Sequence, residues 1–88
     1  MMILAVFRSR AQSMDYARRL NEYGVSATPV NTPKEAKIGC GLCVRFDVRH
    51  FYRARAILRT TRYTAFKGFY KTEYIGGRVV VSPYMPNM

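Results

Sequence analysis

Two cysteines stand three positions apart in the stretch Gly39-Cys40-Gly41-Leu42-Cys43, and they are the only cysteines in this 88-residue chain. A C-x-x-C pair admits three chemistries. A dithiol redox pair sits at a helix N-terminus, where the helix dipole favours the thiolate. Here the pair is followed by Val44-Arg45-Phe46, which reads as strand, so that support is missing. A zinc ion wants four ligands, and one chain offers two cysteines and a single histidine, His50. A symmetric dimer could complete an all-cysteine set, but no other feature points that way, and we expect neither a metal site nor a cofactor. The third chemistry is a single carrier thiol at Cys40. Its flanking glycines free the backbone, and Lys34, Lys37 and Arg45 are near enough in sequence to favour a thiolate. A thiolate is the species that attacks a persulfide or holds transferred sulfur or selenium. The plainer alternative is that both cysteines are small core residues. For Cys43, inside a strand, it is the better reading; for Cys40 both readings stand.

The elements that position this stretch can be read in order. Met2 to Phe7 (M-I-L-A-V-F) is an apolar run of strand length, suited to a central strand. Ser9 and Gln12 form an S-x-x-Q capping box for a helix of about 14 residues with Ala11, Met14, Ala17 and Leu20 on one face, stopped at Gly24. Val25 to Asn31 predicts a second strand, placed at an edge by Pro29. Thr32-Pro33-Lys34-Glu35 starts a short helical turn that should end at Gly39, and Leu42 to Phe46 predicts a third strand antiparallel to the second. Asp47 caps a second long helix whose apolar face is Val48, Phe51, Ala54, Ile57 and Leu58. Phe66 to Ile75 reads as a fourth strand, and Gly76-Gly77 permits a tight turn into Arg78-Val79-Val80-Val81, making a C-terminal hairpin before a tail, Ser82 to Met88, that is frayed or loosely docked.

The order β-α-β-β-α-β predicts an α+β fold of the ferredoxin-like split βαβ type, an antiparallel sheet with two helices on one face. A single domain over residues 1–75 is expected, with the hairpin strand and tail in 76–88. The length allows one core, and the hydrophobic fraction of 49% is enough to fill it. The longest apolar runs fall short of a membrane span, and no cleavage pattern follows Met1 to Phe7, so a cytoplasmic protein with no membrane contact is expected.

Fifteen Lys and Arg against five Asp and Glu give a formal charge of +10, so the partners should be anionic. The second helix is the centre of this charge. Arg49, Arg53, Arg55 and Arg59, with Arg62 just beyond, follow Asp47 with no further acid among them, and arginines so placed can clamp phosphates. Tyr52, Tyr63, Phe66, Phe69 and Tyr70 are candidates to stack bases, although no RNP-type signature is present. This makes a non-enzymatic binding module for nucleic acid or an acidic protein the alternative to a carrier. Support for catalysis is thin, because His50 has no acid evidently paired with it and there is no phosphate loop. An edge strand near Pro29 or in the terminal hairpin could pair with a second chain to make a homodimer.

The chain resembles a bacterial family of unknown function named putative selenium/sulfur carrier protein-like. The resemblance rests on Phe7-Arg8-Ser9 at a strand end, Pro33-Lys34-Glu35 at a turn, Cys40-Gly41-Leu42, and Arg45-Phe46 at a strand end, and spans about Met2 to Tyr70. It implies that Cys40 is the carrier cysteine, loaded or unloaded by a sulfur or selenium donor or acceptor enzyme. Cys43 departs from the pattern, where a small apolar residue is expected. An added thiol there could resolve a persulfide on Cys40.

Overall fold

A computed structural model describes residues 1–36 and 41–86, with Glu35 by its backbone alone. The chain is α+β: strands β1 (Met2–Phe7), β2 (Ala27–Asn31), β3 (Leu42–Asp47), β4 (Phe66–Ile75) and β5 (Arg78–Pro83), and helices α1 (Arg10–Glu22) and α2 (Phe51–Thr60). The sheet order is β2-β3-β1-β4-β5, with every neighbouring pair antiparallel. The fifth strand makes this more than a simple four-strand split βαβ sheet. β5 continues the sheet beyond β4 through a turn in which Gly76 (φ 59°) and Gly77 (φ 77°) both take the positive φ that two-residue hairpins need.

β1 is central and apolar at every position, so both of its faces must be covered. Ile3, Ala5 and Phe7 point to the helices, where they meet Tyr16, Leu20, Phe51 and Ala54 in the main core. Leu4 and Val6 point the other way and form a smaller cluster with Cys43, Val30 and Tyr70. Pro29 does lie in an edge strand, β2, which begins two residues later than the sequence suggests.

Ser9 caps α1 by accepting from the Gln12 backbone N–H at 3.1 Å, but the Gln12 side chain does not complete the capping box. It reaches across to the segment before β4 instead, donating to Thr64 Oγ1 at 2.9 Å and accepting from the Ala65 N–H at 2.9 Å. The helix ends in a Schellman motif at Gly24 (φ 83°), with Val25 N–H donating to the Leu20 carbonyl and Gly24 N–H to Asn21.

The buried stripe of α1 is Ser13, Tyr16, Ala17 and Leu20 rather than Ala11, Met14, Ala17 and Leu20. Met14 is exposed. Polar atoms obscured the true stripe: Ser13 is buried because its hydroxyl has the carbonyls of Ser9 and Leu42 at 3.2 and 3.0 Å, and Tyr16 because its hydroxyl donates to the Ala54 carbonyl at 2.6 Å.

Asp47 caps a 3-10 turn, Val48–His50, through the Arg49 N–H, and α2 proper starts only at Phe51. Of the two alternatives for the tail, docking holds at Tyr84, while Met85 beyond it is exposed. Tyr84 N–H donates to the Phe69 carbonyl at 2.9 Å, and the Tyr84 ring packs edge-on against Phe51 at 4.9 Å.

Asp15 is the polar anchor between α1 and the segment before β4. It accepts from Tyr63 Oη at 2.7 Å and pairs with Arg18 at 2.6 Å and Arg19 at 3.0 Å. These three donors, the tyrosine first, hold its carboxyl down at about 2 against an ordinary 3.8. A depressed carboxyl stabilises the fold above its unfolded pKa, and that contribution is lost as pH falls from about 4 to about 2. The full linkage value is about 2.5 kcal/mol. At a carboxylate side chain 34% exposed, screening reduces it to about 1 kcal/mol. Asp15→Asn should therefore lower the urea midpoint at pH 7, with the gap to the parent protein closing near pH 2. A gap that is constant with pH would place the loss in packing instead.

Candidate functional site

The connection between β2 and β3 carries the sequence that the cysteine chemistry depends on. Its base is closed by Thr32 N–H donating to the Gly41 carbonyl at 3.0 Å. From there a 3-10 turn, Lys34–Ala36, lies against β5, at the opposite edge of the sheet from β2. The start of the connection thus lies on the helix-free face. Ala36 is buried, as a small apolar residue pressed onto that face should be, and Lys34 is exposed.

Beside this segment is a cavity of about 320 Å³ on the helix-free face. Leu4, Val30 and Val79 give it apolar walls, Asn31 comes from the end of β2 and Pro33 from the start of the connection, and Arg45 brings a positive charge. The alternation of β3 explains why Arg45 is there: Val44 and Phe46 turn to the helices, so Cys43 and Arg45 take the other face, opposite Val6 and Leu4 of β1. Cys43 is 0% exposed, beneath a cluster shared with the cavity through Leu4 and Val30.

Of the residues proposed from the sequence, Cys40 and Lys37 lie outside the described residues, as does Gly39, the expected end of the helical turn. Lys34 and Arg45 are both exposed, Lys34 on the connection and Arg45 at the cavity. Arg49, Arg53, Arg59 and Arg62 are exposed on and around α2, and Arg55 is half-buried. The five aromatic residues proposed to stack bases do not share one surface. Tyr63 is bound to Asp15 and packed against Phe7 and Tyr16, Phe69 is buried in the core, and Tyr70 faces the opposite side of the sheet, beside Cys43. Alternation along β4 separates Phe69 from Tyr70, which adjacency in the sequence conceals. His50 lies at the end of the 3-10 turn, where Arg49 Nε donates to its Nε2 at 3.2 Å. Among the described residues no group of His, Cys, Asp or Glu could hold a metal ion, and no helix is long and apolar enough to cross a membrane.

Sequence reasoning missed the cavity walls contributed by Thr72, Tyr74 and Val79. They come from the hairpin, whose strand character was legible but whose approach to the β2–β3 connection was not.

The fold and site define a small α+β domain in which the start of the β2–β3 connection lies on the helix-free face of an antiparallel sheet and Cys43 is buried on that same side. The chain belongs to the family described as putative Se/S carrier protein-like, which matches residues 2–71. That span covers the first four strands to within β4, both helices and the whole β2–β3 connection. No curated protein and no solved structure matches the chain.

Proposed function

We propose that this protein is a carrier of sulfur or selenium, bearing the atom on Cys40. The observation that carries the proposal is the family match, whose span of residues 2–71 includes Cys40-Gly41-Leu42. The Thr32–Gly41 hydrogen bond supports it by fixing the chain immediately after the cysteine, and Lys34, Lys37 and Arg45 supply positive charge to the same segment. Loading transfers a sulfane sulfur from a donor enzyme's persulfide: the Cys40 thiolate attacks the outer sulfur, the donor's S–S bond breaks, and the donor leaves as a thiolate. Unloading is the same exchange run towards an acceptor. Cys43 is shielded from solvent, so it serves as a resolving thiol only when the structure around it opens. Its sulfur attacks the inner sulfur of a Cys40 persulfide, forming a Cys40–Cys43 disulfide and releasing hydrosulfide. The arrangement of β1 to β4 is assigned to the ferredoxin-like type. It is supported by β1 and β2 both running antiparallel to β3, and β3 and β4 both antiparallel to β1. The setting is cytoplasmic, where thiols stay reduced.

The test is mass spectrometry of the protein after incubation with a cysteine desulfurase and cysteine. The Cys40 peptide should gain one sulfur, and Cys40→Ser should gain none. An unmodified Cys40 under conditions that load a known carrier overturns the proposal.

A further inference from the structure

A second cavity, of about 210 Å³, lies on the helix side of the sheet, away from the β2–β3 connection. Its walls are aromatic and apolar, from Phe51, Phe66, Phe69, Tyr84 and Pro86, and two arginines of α2, Arg55 and Arg59, line it as well. We propose that this cavity binds the base and phosphate of a nucleotide, with the base against the aromatic walls and the phosphate held by Arg55 and Arg59. The inference is independent of the carrier reading.

Three observations carry it. Arg55 and Arg59 are one helical turn apart, so their like charges repel, and α2 has no acid to offset them. The ion pairs formed among the described residues use Arg18, Arg19 and Lys71, and none uses an arginine of α2. Two unneutralised guanidinium groups at one cavity form a site for an anion, and a phosphate accepts from such forks in pairs.

The second observation is that Arg55 is already oriented. Its guanidinium lies 5.0 Å from the Tyr52 ring centroid and 5.7 Å from that of Phe51, which fixes the side chain before any ligand arrives. Part of the ordering cost of binding is thereby removed.

The third is the match between walls and size. A bare inorganic anion has no use for aromatic walls, whereas every base has a face that packs on aromatic carbon. The volume lies below the roughly 300–1,000 Å³ of pockets that enclose a whole drug-sized ligand. It suits one ring system with its charged group left at the rim. An acidic peptide would satisfy the arginines but leave these walls to be filled by a side chain, so the nucleotide is the better fit.

The base and phosphate belong either to a free mononucleotide or to one unit of a single strand. Titration of the labelled protein by NMR separates these sources. AMP should shift the amides around Phe66 and Tyr84, with adenosine and inorganic phosphate each binding at least tenfold more weakly, because each lacks one half of the ligand. The double variant Arg55→Gln/Arg59→Gln should lose at least tenfold in AMP affinity while keeping a folded spectrum. Arg78→Gln, which removes one charge at the start of β5, should change it less than twofold. An oligoadenylate that binds tenfold tighter than AMP, with a steep salt dependence, identifies the strand as the source; equal affinity identifies the free nucleotide. The proposal is overturned by phosphate binding as tightly as AMP, by an acidic aromatic peptide binding more tightly, by no shift at millimolar AMP, or by an unchanged affinity in the folded double variant.

Discussion

Phe7→Ala is expected to cost the protein about 4 kcal/mol, at least a third of its stability. Phe7 is fully buried at the end of the central strand, and its ring is surrounded by three others: Tyr16 at 5.5 Å, Tyr63 at 5.3 Å and Phe66 at 5.3 Å. These rings come from α1, from the segment after α2 and from β4, so a single side chain ties three parts of the fold to β1. Truncation removes the transfer free energy of a benzyl group and leaves a cavity that rigid neighbours fill poorly, a loss of about 4 kcal/mol. At 0.05–0.15 kcal/mol per residue, a domain of this length holds on the order of 4–13 kcal/mol in all. The loss is therefore between a third and the whole of its stability. Urea unfolding followed by circular dichroism measures it, and Phe7→Leu, which keeps most of the volume, should lose about 1.5 kcal/mol or less. A small loss on truncation to alanine would mean that the ring cluster closes over the gap.

How much of this was legible in the sequence follows from where the information is local. β1, β3, β4 and the glycine turn could be read closely because apolar runs, alternation and Gly76-Gly77 each report on a few adjacent residues. The face of α1 could not, since Ser13 and Tyr16 look polar until the carbonyls of Leu42 and Ala54 are brought to them from other elements. Gln12 misled in the same way: a capping box is a local inference, and Thr64 and Ala65 compete for the side chain from about fifty residues away. Whether the tail frays or docks could not be decided locally, because Tyr84 gains its hydrogen bond and its ring contact only once β5 has paired with β4. For the candidate site, the sequence identified the cysteines and the charges. The side of the sheet on which the Lys34–Ala36 turn lies, and the convergence of Arg55 and Arg59 with aromatic residues from β4 and the tail, are tertiary facts.

In a Cys40→Ser background, Cys43 should react with a thiol reagent such as dithionitrobenzoate at least about a thousandfold more slowly in the native protein than in denaturant. The sulfur is 0% exposed, and its strand is paired on both sides, to Val6 of β1 and to Val30 of β2. A bulky reagent therefore reaches it only through an opening of the structure, and the rate is the intrinsic rate multiplied by the population of the open form. If global unfolding is the route, a stability of about 4 kcal/mol or more gives the thousandfold factor, since each 1.4 kcal/mol is tenfold. If the β2–β3 connection lifts off the helix-free face by itself, protection is smaller and does not follow global stability. The Phe7 variants separate the two routes. The loss of about 1.5 kcal/mol in Phe7→Leu should speed labelling roughly tenfold through global unfolding and leave it unchanged through local opening. Local opening would matter most for the carrier reading, because the same movement would uncover Cys43 whenever the connection engages a partner. A Cys43 that reacts within tenfold of an unfolded thiol would show that the site is open for at least about a tenth of the time. The intramolecular resolution of a Cys40 persulfide would then compete with any thiol in solution.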